Sequence, residues 1–162
     1  PPLPLILPKP LTLKAAEKWR KQAENIFWKK RDYGLSLRMW LALEKRRDKL
    51  PAQLRRNIDL GLGWCYLEVA TQPLVSAEQR FLAVLKLLPH HDSARYGLAW
   101  TWLRQGRKKE GLDGLRALLK RSPQGRFSKE ARRILKTYSR VPVRGTSPTG
   151  QCMCRETNAL SE

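Results

Sequence analysis

The chain has little with which to do redox, metal or acid–base chemistry. Histidine occurs twice, as the adjacent pair His90-His91, and cysteine three times. Neighbouring side chains point in different directions, so the imidazole pair at the start of one short helix supplies no tetrahedral shell. Three cysteines build no disulfide framework. Cys65 lies inside an apolar helical stretch and reads as a small buried hydrophobe, while Cys152 and Cys154 sit in a polar tail without a second ligand pair. Acidic residues are scarce too, 14 Asp and Glu against 33 Lys and Arg, for a formal net charge of +19. No carboxylate pair falls in an apolar cleft pattern, and no Ser or Cys nucleophile comes with a base. No glycine-rich phosphate loop is present, since Gly61-Leu62-Gly63 lies mid-helix. No apolar run approaches the roughly 20 residues of a membrane span. Period-two alternation of useful length is missing, which excludes a sheet protein. From these absences we expect an all-α protein that is not an enzyme, with no metal and no cofactor.

What is present is basic charge, helical periodicity and tryptophan. Residues 1–56 carry 15 basic and 5 acidic residues, residues 57–100 carry 3 and 4, and residues 101–162 carry 15 and 5. A neutral apolar centre therefore lies between two ends of +10 each, a distribution that favours acidic partners. The first ten residues hold five prolines and read as an extended arm over 1–11 that could dock through Leu3, Leu5 and Ile6. The absence of an initiator Met leads us to expect a processed form of a soluble chain, exported or organelle-imported, with the compartment unassigned. Residues 140–162 have turn formers and no period, and we expect a disordered basic and polar tail.

Between them, residues 12–139 read as one domain of about seven helices. Ala15, Trp19, Ala23, Ile26 and Phe27 mark one face of the first helix, up to about Lys30. Arg31-Asp32-Tyr33 breaks it, and Leu35, Met39, Ala42 and Leu43 mark a second. A third runs from about Pro51 to Ala70. Ser76 with Gln79 forms a capping-box pattern opening a fourth, which Pro89 closes. Asp92 or Ser93 is the expected cap of a fifth, which forms with the sixth a hairpin of about 34 residues, Asp92 to Gly125, turning at Gly106. Ser128 caps a last helix, Lys129 to Tyr138.

The three hairpins resemble tetratricopeptide repeats. In the third, Leu98, Ala99, Trp102, Gly111, Leu118 and Pro123 hold the places where that family wants its small, aromatic and terminating residues. The second shows Leu62, Gly63 and Tyr66, then Ala77, Phe81 and Pro89 after a two-residue insertion. The first is weaker: Trp19, Ala23 and Ala42 fit, Leu35 stands where a small residue is wanted, and no terminating proline follows. Trp28, Trp64 and Trp100 recur at a spacing of 36. The resemblance implies antiparallel hairpins stacked as a short right-handed superhelix, with the last helix covering the open apolar face.

It also implies a concave groove lined by the first helix of each hairpin. Carried onto this chain, that surface takes Glu17, Arg20, Glu24, Phe27 and Trp28, then Asn57, Leu60, Trp64, Leu67 and Glu68, then Ser93, Tyr96, Trp100, Leu103 and Arg104. We expect Phe27, Trp28, Leu60, Trp64, Leu67, Tyr96, Trp100, Leu103 and Arg104 to form the binding groove, with the three tryptophans as a ladder. The competing reading packs those tryptophans between repeats or under the arm. A basic surface is expected from Lys29, Lys30, Arg31, Lys45, Arg46, Arg47, Arg107, Lys108, Lys109, Arg132 and Arg133. The function these features point to is an adaptor or scaffold in a multiprotein complex, binding an acidic peptide or helix with apolar anchors. The alternative partner is RNA or DNA, met by the basic ends.

Overall fold

The computed structural model describes Leu7 and residues 11–140; the remainder of the expected arm and the tail lie outside the described residues. Seven α-helices follow in order: α1 Leu13–Asn25, α2 Tyr33–Glu44, α3 Ala52–Glu68, α4 Leu74–Leu87, α5 Asp92–Arg104, α6 Lys108–Arg121 and α7 Ser128–Arg140. Each packs against the next, and α3 also meets α1 and α5. Among the described residues there is no strand, and no helix is long and apolar enough to cross a membrane.

Local chemistry sets most of the boundaries. Thr12 caps α1 through Ala15 N–H, and Asp32 caps α2 through Leu35 N–H at 2.9 Å. Between those helices the chain widens into one π-helical turn, Ile26–Lys30, and Arg31 then turns it left-handed at φ 58°. Gly106 at φ 82° ends α5 as expected: Arg107 N–H donates to Trp102 C=O and Gly106 N–H to Leu103 C=O, a Schellman pair. Two expected caps are corrected. Helix α4 starts at Leu74 behind Pro73, so Ser76 lies within its first turn and forms no capping box. Helix α5 is capped by neither Asp92 nor Ser93 but by His91, whose Nδ1 accepts from Ala94 N–H at 3.3 Å.

The core is a continuous apolar seam from Ala16 to Ile134. Twice, an aromatic from the second helix of one hairpin lies against a glycine in the first helix of the next. The Trp40 ring of α2 covers Gly61 of α3, and the Phe81 ring of α4 covers Gly97 of α5. A β-carbon at either glycine would overlap the ring, so these positions let neighbouring helices approach closely. Phe81 also touches Gly63, tying α4 to α3. Cys65 is buried as expected: its thiol lies 3.5 Å from Ser36 Oγ, which donates to Ala23 C=O at 2.9 Å, joining α3, α2 and α1. Burial pushes that thiol up to about 12, against the lowering influence of Ser36.

Candidate functional site

The first helix of each hairpin brings aromatic residues to one side of the molecule. The π-turn after α1 presents Phe27 and Trp28 together, with ring centroids 4.7 Å apart edge-to-face. Trp28 lies 5.4 Å from Trp64 of α3, and Trp64 stacks on Tyr96 of α5 at 6.0 Å. Phe127, just before α7, lies parallel to Tyr96 at 4.7 Å and reaches Trp64 at 6.1 Å. Arg126 then lays its guanidinium over Trp28 at 5.0 Å and over Phe127 at 5.4 Å. The chain before α7 thus folds back over the far end of the molecule.

Phe27, Trp28 and Trp64 of this stack border a pocket of about 310 Å³. Its floor is Phe27, Trp40, Gly61 and Trp64; its rim is Glu24, Trp28, Asn57, Leu60, His91, Ser93 and Arg126. The rim is already organised. Trp64 Nε1 donates to Ser93 Oγ at 3.2 Å, and Arg20 holds Glu24 at 2.7 Å. The cap at Ala94 occupies His91 Nδ1. Burial, with Glu130 in support, pushes the phenol of Tyr96, which packs behind Trp64, up to about 12. A small volume with aromatic walls and a few fixed polar groups suits one or two anchoring side chains of a ligand.

The structure divides the expected groove into floor and surface. Trp64 is 7% exposed and Leu67 0%, and Phe27, Tyr96 and Leu103 are buried as well. They are walls and core, because adjacent helices cover the same face that the repeat pattern marks as concave. Trp28 and Leu60 are half-buried and offer contact area on the pocket. Trp100 is half-buried but takes no part in the stack; Tyr96, one turn earlier, provides the third rung. Arg104 is directed elsewhere, donating to the Leu67 carbonyl at the end of α3. Phe127 and Arg126 were missed: they stand in a turn with no apolar period, where only a tertiary contact marks them.

The basic surface also divides. Lys29, Lys30, Arg31, Lys45, Arg46, Lys108 and Lys109 are exposed and, among the described residues, have no carboxylate within ion-pair distance. Arg47 is corrected from surface to structure. It grips Asp59 with two hydrogen bonds, at 3.0 and 2.7 Å, and Glu44 with a third. Arg80 joins the same two carboxylates at 2.8 Å each, closing a network of two cations and two anions over α2, α3 and α4. Arg107 pairs with Glu78 and Glu110, and Arg133 with Glu130. Arg132 donates to the Pro123 carbonyl at 2.6 Å. Among the described residues, no cluster of three or more His, Cys, Asp or Glu is placed to hold a metal.

No protein-family model matches this chain, and no curated protein matches it in sequence.

Proposed function

We propose that the chain is a non-catalytic protein-binding module of the tetratricopeptide-like kind. In this reading its three hairpins and final helix wind as a right-handed superhelix and serve as an adaptor or scaffold within a larger assembly. The paired aromatic-on-glycine contacts and the sequential helix packing support the repeat reading. The observation that carries the binding reading is the aromatic pocket, where half-exposed Trp28 and Leu60 stand over a buried Phe27 and Trp64 floor. The ligand is a partner segment with an apolar anchor, and Arg126 at the rim favours acidic groups beside it. Trp64→Ala is a poor probe because Trp64 belongs to the core. The informative variants are Trp28→Ala and Leu60→Asp, which alter the rim. Affinity capture with mass spectrometry is expected to find a partner with the native chain and lose it with the double variant, at unchanged helical circular dichroism. Unchanged capture would sink the pocket reading.

A second reading, binding of a nucleic-acid backbone, rests on a different observation. Lys14, Lys18 and Lys21 form one exposed stripe along α1, with Lys29, Lys30 and Arg31 beyond its end. If phosphates are neutralised there, affinity for mixed-sequence RNA or DNA falls steeply with salt, and replacing the three stripe lysines by Gln lowers the slope of log K against log salt by about 2–3. Absence of binding at low salt removes this reading.

A further inference from the structure

We propose that a groove between α4, α5 and α6 is a second docking site, and that it takes an acidic amphipathic helix from a partner protein. It shares no lining residue with the aromatic pocket and lies on the opposite face of α5. It holds about 270 Å³. Leu98 and Trp102 of α5 are its floor, Leu85 and Pro89 one wall, Gly114 and Ala117 the other. The small wall of α6 lets a helix backbone come close, while the floor accepts large side chains.

Two features point to what occupies it. The first is apolar surface on the α4 side. Val75 is 56% and Leu82 45% exposed; they are two helical turns apart and so share one stripe, and Leu82 is one turn before Leu85. Of the six large hydrophobics exposed among the described residues, Val75, Leu82, Leu87 and Leu88 all belong to α4 or its C-cap. A soluble surface seldom gathers them on one element without a use.

The second feature is charge polarity. Glu110, Gly114, Ala117 and Arg121 follow one another along a stripe of α6, acidic at its start and basic at its end. The acidic end is already neutralised, because Arg107 bridges Glu78 at 2.8 Å and Glu110 at 3.1 Å. The basic end is not. Arg95 donates its Nε to the Pro89 carbonyl at 2.7 Å and has no carboxylate within ion-pair distance among the described residues. Arg121 meets Asp92 only at 4.0 Å. An occupant therefore gains from apolar anchors against Leu85 and Leu98, beside the Trp102 ring over which Arg107 already lies at 5.2 Å, and from carboxylates at the Arg95 and Arg121 end. A second copy of this chain, at +19, brings the wrong sign.

The test uses a labelled peptide of about 18 residues, about 27 Å as a helix, with Leu along one face and Glu elsewhere. Its anisotropy is titrated with the full chain at physiological salt. Ala117→Trp, at an exposed wall position, is expected to plug the groove and weaken binding by about tenfold or more. Arg95→Gln with Arg121→Gln is expected to weaken it similarly and to flatten its salt dependence. A scrambled peptide of the same composition is expected to bind about tenfold more weakly, which separates the groove from general attraction to a basic protein. Every titration is repeated in the Trp28→Ala with Leu60→Asp background, which removes the aromatic pocket as a second seat for the peptide, so failure of that pocket and failure of this groove read out separately. Circular dichroism checks folding, and Ala117→Glu replaces Ala117→Trp if the indole disturbs it. Equal binding of the scrambled peptide, or native affinity in the Ala117 variant, overturns the proposal. So does sedimentation as a dimer that the Ala117 variant dissociates, which would assign the groove to a second copy.

Discussion

Asp59 is the buried anion that joins two arginines from different parts of the chain. Its side chain is 4% exposed and accepts from both Arg47 and Arg80. Replacing it with Ala leaves two guanidiniums facing each other with only Glu44 between them. We expect Asp59→Ala to cost about 2–4 kcal/mol in urea unfolding, because removing one partner of a buried pair strands the others. Asp59→Asn keeps the shape and should recover little of that loss, since the missing term is charge; full recovery would assign the effect to packing. Cys65 gives a cleaner readout. With Cys152→Ser and Cys154→Ser in place, the remaining thiol is buried and raised to about 12, so thiolate is scarce at neutral pH. Native protein is expected to resist an alkylating reagent that modifies it rapidly in denaturant. Rapid native labelling would mean that the junction of α1, α2 and α3 opens readily. Of the Asp59 network only the Glu44–Arg47 pair, three residues apart, was legible in sequence. The other pairs are 12, 21 and 36 residues apart, and a charged residue in a mostly basic chain carries no mark of its partner.

At the scale of elements, the glycines distinguish close packing from spare space. Gly61→Ala drives a β-carbon into the buried Trp40 ring. Overpacking costs about 1–3 kcal/mol, and the better helix propensity of Ala returns about 1 at most. We therefore expect a net loss for Gly61→Ala. Gly34, in the first turn of α2, has only Asp32 Oδ1 at 3.8 Å from such a carbon. Gly34→Ala should accordingly stabilise by about 0.5 kcal/mol. Thermal melts of the two variants should move in opposite directions. The junction of α4, α5 and α6 adds a pH dependence. Burial raises the Glu78 carboxyl, but hydrogen bonds from Trp102, Gln105 and Arg107 outweigh it and hold the group below the usual carboxylate range. A depressed native value stabilises the fold above the ordinary glutamate value, and that contribution disappears as the pH falls through the native one. The melting temperature should decline with acid in this window, and Glu78→Gln should decline less; parallel curves would show that Glu78 is not linked to folding. Seven helices could be read from apolar spacing because a helix buries one face at a period of 3.6. Their caps were less legible: Ser76 and Gln79 have the right chemistry, but entry through Pro73 put them inside the helix.

Over the whole molecule, charge acts against compaction. At +19 the folded chain repels itself, and six of the eleven ion pairs among the described residues join side chains only three or four positions apart. We expect the melting temperature to rise between about 20 and about 200 mM salt as that repulsion is screened. A fall would mean that the Asp59 and Glu78 networks dominate. The candidate site was half legible at this scale. Trp28 and Leu60 were expected on the groove and do line the pocket, whereas Phe27 and Trp64 are its buried wall and Tyr96 is buried behind Trp64. Arg126 reaches the pocket rim from a turn before α7, where Phe127 packs on Trp64 and Tyr96, a contact that needs the end of the chain to be folded back.

Apolar period, proline punctuation and composition were enough to settle the helical class, the number of helices and the basic ends, because each of these is a property of neighbouring residues. Periodicity says that a face is apolar; it does not say whether a neighbouring helix, a turn or a ligand will cover it. That depends on the angles and spacings at which helices meet. Here those spacings are set by rings lying on Gly61 and Gly97, and only the packed molecule could separate the aromatic residues that hold it together from Trp28 and Leu60, which stay half-exposed beside the pocket.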